Sequence, residues 1–187
     1  MRTLLEKCRL IGKMIQKAAG KPVDFEDMAR VLSDNIECNC YIVGRRGKLL
    51  GYHFMQDFNC SIMEEIVIQS ERFPESYNEG LLRMNETVAN VSQPSNACVF
   101  SVEEGCEFCG KISTIVPIFG GGVRVGTLVL AKFNKEFNDA DLVLAEYGGN
   151  VVGMEIMRLK AEKAEEIARK KAAVQIAVGT LSYSELE

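Results

Sequence analysis

Apolar positions at Leu4, Leu5, Cys8, Ile11 and Ile15 recur at three- and four-residue steps, predicting an amphipathic helix that ends near Gly20, Lys21 and Pro22. A second helix should follow at once. Asp24 is its N-cap, Glu26 and Asp27 sit where the helix dipole favours negative charge, and Phe25, Met28, Val31 and Leu32 form its apolar stripe. The segments 38–43 and 48–52 read as two strands joined by Gly44-Arg45-Arg46-Gly47, whose glycines can take the positive φ of a tight turn. Helical periodicity returns from Ile62 to Ile68 and is closed by Phe73-Pro74.

The stretch from Asn78 to Asn96 is polar and irregular, and reads as a long loop, a candidate lid over a ligand. Three strands are expected after it, at 97–102, 113–119 and 123–133, with Gly120 to Gly122 as a hairpin turn between the last two. Those glycines lack the Lys-Ser/Thr that ends a phosphate loop, and they lead into a strand instead of a helix.

From Asn138 the pattern stays helical for about forty residues, or ~60 Å of unbroken helix. Its first half is apolar on more than one face, through Leu142, Leu144, Ala145, Val151, Val152, Met154 and Ile156, and should be covered by the sheet and a second copy. From Arg158 to Lys171 the sequence is charged and alanine-rich, with Glu165–Arg169 and Glu166–Lys170 in the favourable i,i+4 order of a helix standing in water. Near the end, Ser182 and Glu185 have the spacing of a capping box, as though a new helix opened with only two residues left to build it.

The 187 residues, 47% apolar and 26% charged, can bury a core without disulfides. No apolar run approaches the ~20 residues of a membrane span, and charge interrupts the first nine residues, so a cytoplasmic chain is expected. A formal charge of −4 supplies no basic field for a phosphate backbone. The seven cysteines form no evident disulfide framework. Cys106 and Cys109 have one half of a zinc-site spacing, but no second pair completes it, and no metal is expected. His53 is the only histidine and has no evident acid–base partner in the sequence.

The element order is that of an α+β domain with a mostly antiparallel sheet and a long C-terminal helix, as in GAF domains. Longer stretches are more specific: AGKPVDF at 19–25, RRGKLLGY at 45–52, TIVPI at 114–118 with GGG at 120–122, FN at 137–138, DLVLAEY at 141–147, GMEI at 153–156 and LSYSE at 181–185. Together they resemble the CodY family of nutrient-sensing transcriptional repressors, from the first helix to the last residue.

The resemblance implies a GAF ligand-sensing domain over 1–157, then a linker helix over 158–187 leading to a winged helix-turn-helix absent from this chain. It implies an effector that is a branched-chain amino acid, chiefly isoleucine, with valine and leucine as competitors. It also implies a homodimer, and DNA binding and repression through the absent domain, with virulence genes among the targets in clostridial relatives. The implied amino-acid pocket comprises Met63, Ile66, Arg72, Phe73, Pro74, Tyr77, Cys98, Val99, Phe100, Ser101 and Val102. Ile62 stands where the family commonly has a carboxylate-gripping arginine, and Cys98 where a threonine is common, so Arg72, Arg83 or backbone amides near Phe100–Val102 are the candidate substitutes. For GTP, the implied contacts are Phe25, Arg45, Arg46, Lys48, Glu155 and Lys160 on the outside of the domain, though an exposed turn would carry similar residues; a sensor of GTP alone is one alternative reading. An enzymatic alternative uses Cys98, Cys106 or Cys109 as in GAF-type free methionine sulfoxide reductases; Glu103, Glu104 and Glu107 give those thiols the wrong charge environment. The expected class is a non-enzymatic sensor.

Overall fold

A computed structural model of the chain describes residues 2–17, 24–55, 67–92, 111–133 and 135–184. Its elements are α1 (Leu4–Lys17), α2 (Phe25–Ile36), β1 (Asn39–Gly44), β2 (Leu49–His53), α3 (Glu75–Leu82), β3 (Val88–Ser92), β4 (Lys111–Gly120), β5 (Val123–Phe133) and α4 (Asp139–Ser184). The five strands form one antiparallel sheet in the order β2-β1-β5-β4-β3.

Local chemistry sets most boundaries. Asp24 caps α2 by accepting a hydrogen bond from the Glu26 N–H at 2.9 Å, and Glu37 ends that helix in the left-handed region at φ 58. In the β1–β2 turn only Gly47 takes a positive φ, at 79, while Gly44 stays in the strand and pairs with Gly126. Gly121 and Gly122, at φ 58 and 76, form the β4–β5 turn as two consecutive left-handed residues.

Side chains alternate across the two sheet faces. On one face Cys40, Ile42, Val116, Ile118, Leu128 and Leu130 pack under α1, α2 and the first half of α4. On the other, Tyr41, Val43, Ile115 and Val129 pack with Leu49, Phe73 and Leu81. With both faces covered, β1 is buried at every position but its last.

Two clasps hold the start of α4 against the sheet. Lys132, buried in β5, donates to Asp141 at 2.6 Å and lies 4.7 Å from the centroid of the Phe137 ring, so neither charge is buried unpaired. Asn90, at φ 56 in edge strand β3, donates to the Phe137 carbonyl at 3.0 Å and accepts from the Phe137 N–H at 2.8 Å. The tip of the β4–β5 hairpin then rests on α4. A Cβ on Gly153 would fall 2.1 Å from the Phe119 carbonyl oxygen, so only glycine admits this approach.

Three expectations need correction. The stretch from Asn78 to Asn96 does not form a loop closing over a site: its first residues belong to α3, and Val88–Ser92 is a strand paired with β4, leaving only 93–96 outside the described residues. Ser182 cannot act as an N-cap, because α4 runs for 46 residues through Ser184 and the backbone never leaves helical geometry before the serine. At 1.5 Å per residue that is about 69 Å of helix. Glu155, expected on the outer surface, is buried. The expected helix from Ile62 and strand at 97–102 lie outside the described residues, apart from Val67 and Ile68.

Every residue from Lys160 to Gln175 is exposed, and Arg169 and Lys170 pair with Glu165 and Glu166 at 3.5 and 2.6 Å as the spacing predicts. These are screened surface pairs that favour the helix weakly.

Gly153→Ala should overpack the hairpin–helix contact and destabilise the chain by about 1–3 kcal/mol. Denaturant unfolding monitored by circular dichroism measures it, and a midpoint unchanged from the wild type would show that the hairpin is not seated on α4.

Candidate functional site

The face of the sheet turned away from α1, α2 and α4 carries an aromatic set. Tyr41 meets Phe54 and Phe73 edge-on, with centroids 5.6 and 6.0 Å apart, and Tyr52 lies 5.3 Å from Phe54. Phe73 stacks on Tyr77 at 5.6 Å with an interplanar angle of 14°. Beneath the rings run cross-strand rows: Val43, Thr127 and Pro117, then Tyr41, Val129 and Ile115, in β1, β5 and β4 respectively. Each set shares one face, so apart from Thr127, whose hydroxyl is taken up by Arg124, the floor is aliphatic and aromatic over three strands.

The wall on one side is α3 with the segment leading into it. Phe73 is 2% exposed, and its N–H donates to the Gly47 carbonyl at 2.8 Å, tying the aromatic wall to the β1–β2 turn. Asn78 reinforces that tie by donating to the Arg45 carbonyl at 3.1 Å. Arg124, from β5, donates to the carbonyls of Leu81 and Met84 at 3.3 and 2.5 Å, to the Gly126 carbonyl at 2.5 Å and to the Thr127 hydroxyl at 2.8 Å. A cation suits the C-terminus of α3, where the helix dipole is negative, and it adds to the Met84 N–H that already donates to the Leu81 carbonyl. Partial burial lowers the Arg124 pKa, and its guanidinium also lies 5.7 Å from the Phe119 ring centroid.

Of the expected pocket residues, Phe73 and Tyr77 line this face and Pro74 turns the chain into α3 as its N-cap. Arg72 is exposed and donates to the Arg46 carbonyl at 2.8 Å, at the hairpin turn; Arg83 is exposed just beyond α3. Met63, Ile66 and Cys98 to Val102 lie outside the described residues, as do Cys106 and Cys109. Tyr41, Tyr52, Phe54, Val43, Ile115 and Val129 were not anticipated. Their alternation with Cys40, Ile42, Val116, Leu128 and Leu130 held the signal, masked because both sets are apolar.

The expected nucleotide residues separate. Phe25 and Lys48 line one cleft of about 380 Å³ between the start of α2 and β2, with Gly51, Tyr52, Ile68 and Glu71 around it. Arg45 and Arg46 are exposed in the adjacent turn. The Glu155 carboxylate is held by Arg158 at 2.5 and 2.9 Å, and this bond raises the arginine pKa. Arg158 also bonds Glu162, and Lys160 is exposed on the outer half of α4.

Among the described residues no group of His, Cys, Asp and Glu could hold a metal ion. The Cys38 and Cys40 thiols are buried, and burial pushes both pKa values up, opposite to what a reactive thiolate needs.

A sheet covered on one face by helices, with an aromatic-lined opposite face under a short helix, is the arrangement of a GAF domain. Its likeness to the GAF domain of an Acinetobacter phosphoenolpyruvate-protein phosphotransferase extends over 88% of this chain and 99% of that one, at TM-score 0.56 and 15% identity, which speaks for the fold alone. The family model for the CodY GAF-like domain matches residues 3–180. The global transcriptional regulators CodY of Clostridium botulinum strain Hall and Clostridium perfringens strain SM101 are each 51% identical over all 187 residues, which span 72% of either protein. The cofactor-binding GAF domain of the nutrient sensor CodY from Clostridium difficile is 36% identical at TM-score 0.60, with 83% of this chain and 99% of that one covered. The chain belongs to the CodY family of transcriptional regulators.

Arg124→Met should release the C-terminal end of α3, destabilising the chain by about 1–3 kcal/mol and raising amide exchange across Glu75–Leu82. Exchange there indistinguishable from wild type would mean that the guanidinium does not hold the helix.

Proposed function

We propose that this chain is the effector-sensing part of a CodY regulator, and that its effector is a branched-chain amino acid, chiefly isoleucine, with valine and leucine as weaker competitors. The observation that carries the reading is the sheet face built from Tyr41, Val43, Ile115 and Val129 and walled by Phe73 and Tyr77. An aliphatic side chain of that size gains from such a surface, at about 0.8 kcal/mol per buried methylene. The Clostridium difficile relative, a cofactor-binding domain of a nutrient sensor, supports the same class of role.

In this reading Met63, Ile66 and the 98–102 segment complete the pocket around Phe73, Pro74 and Tyr77. Residues 1–157 sense, and the exposed length of α4 from Arg158 onward carries the signal to a DNA-binding domain in the full-length repressor, in the cytoplasm. The protein works as a homodimer. Leu5 on α1 and Val143, Tyr147 and Met154 on α4 are exposed apolar residues that a second copy could cover. No catalytic step is part of this reading.

A second effector, GTP, is favoured by the cleft between Phe25 and Lys48 and the arginines of the adjoining turn, which offer one ring and several cations to a purine nucleotide.

Isothermal titration calorimetry of the chain with isoleucine, valine, lysine, methionine sulfoxide and GTP tests these assignments. Saturable heat with isoleucine, weaker heat with valine and none with lysine is expected. No heat with isoleucine from a folded chain would refute the branched-chain reading, heat with methionine sulfoxide alone would favour the reductase-like one, and none with GTP would remove the nucleotide.

A further inference from the structure

One row of the aromatic-lined sheet face has no part in the apolar floor. Two residues along from Tyr41, Val129 and Ile115 lie Asn39 in β1, Ala131 in β5 and Ser113 in β4, again in cross-strand register. Strand alternation puts them on the same face as the aromatic set, ~7 Å further along. The floor therefore changes from apolar to polar at one end. Between its two polar side chains stands alanine, the smallest side chain of the row.

Asn39 is 2% exposed, and its amide is half used. The Met55 N–H donates to Oδ1 at 3.0 Å, which fixes the amide orientation and leaves Nδ2 as the group with hydrogens to give. That nitrogen is buried and has no hydrogen-bond partner among the described residues. A buried donor without an acceptor is costly, so a native structure that retains one requires a reason. Of the two candidate arginines, Arg72 is exposed and bonded to the Arg46 carbonyl, and Arg83 is exposed beyond α3.

The geometry points to Asn39 as an effector-binding residue whose Nδ2–H donates to the α-carboxylate of the bound amino acid, with Ser113 at the far end of the same row, across Ala131. This inference rests on the branched-chain reading. The ~7 Å between the two rows is comparable with the length of an aliphatic α-amino acid, which would lie with its side chain over Tyr41, Val129 and Ile115 and its carboxylate over Ala131. Orientation and selection against carboxylate-free analogues then come from the same amide.

The test is calorimetry of the whole chain with isoleucine and with isoleucinamide, whose carboxylate is replaced by a neutral amide, for wild type, Asn39→Ala and Asn39→Asp. Thermal melts confirm that each is folded. Asn39→Asp matters most, since it keeps the shape and the acceptor for the Met55 N–H but turns the donor into a second acceptor. Expected are wild-type preference for isoleucine over isoleucinamide, roughly 10- to 100-fold weaker isoleucine binding by either variant, and a smaller change for isoleucinamide. Undiminished isoleucine binding by Asn39→Ala would overturn the assignment, and tighter binding by Asn39→Asp would do so by placing the ammonium group there. If Asn39→Ala does not fold, Asn39→Asp alone decides. Wild-type chain that binds no isoleucine would contradict the branched-chain reading itself, whereas wild-type binding equalled by both variants contradicts only the role of Asn39.

Discussion

Alternation of side chains along β1, β4 and β5 is the constraint on which the rest of the molecule depends. Because successive residues point to opposite faces, three strands supply two different surfaces without any residue serving both. Cys40, Ile42, Val116, Ile118, Leu128 and Leu130 form the floor of a helix-covered core, while Tyr41, Val43, Ile115 and Val129 form the floor of the candidate site. A one-residue slip in β5 would exchange its two sets, so the core and the candidate site are fixed by the same register. The helix-covered core supplies the larger buried cluster, and the opposite face is thereby held in place as a preformed surface.

The connections from that surface to α4 are few and specific. Arg124 binds the end of α3, and the hairpin that carries it rests on Gly153. From the other edge, Asn90 in β3 grips the backbone of Phe137 just ahead of the helix, and the buried Lys132–Asp141 pair fixes the first turn. Removing one partner of such a pair strands a charge and typically costs several kcal/mol. Any rearrangement of α3 or β3 on effector binding would meet α4 through these contacts. They therefore define where a signal could pass into the exposed length of the helix.

Much of the architecture was legible because single residues with strong local rules mark it. Asp24 caps α2, Gly121 and Gly122 make the turn they were expected to make, and the acidic and basic residues of the outer half of α4 pair at i,i+4. The failures have equally local causes. Strand β3 is a five-residue edge strand whose Asn90 adopts a left-handed conformation, so neither apolar alternation nor propensity announces it. Ser182 and Glu185 satisfy a capping-box spacing, yet the helix already under way continues past the serine, and propagating a helix is easier than starting one. In the candidate site, Phe73 and Tyr77 were named only by their positions in the family resemblance, and both fall on the aromatic-lined face. The floor was not legible, since a strand buried on both faces reads as an unbroken apolar run. Asn39 carried no signal at all until its neighbours in register were known.

In the function proposed above, the aromatic-lined face of the sheet receives an aliphatic amino acid. Nuclear Overhauser contacts in the presence of saturating carbon-13-labelled isoleucine measure this directly, read from the ligand methyl protons to protein rings and methyls. Contacts to the Tyr41 and Phe73 rings and to the methyl groups of Val129 and Ile115 are expected. Bound isoleucine whose methyl groups contact none of these four, and instead touch residues of the α1–α2–α4 core or the outer surface, would contradict that proposal.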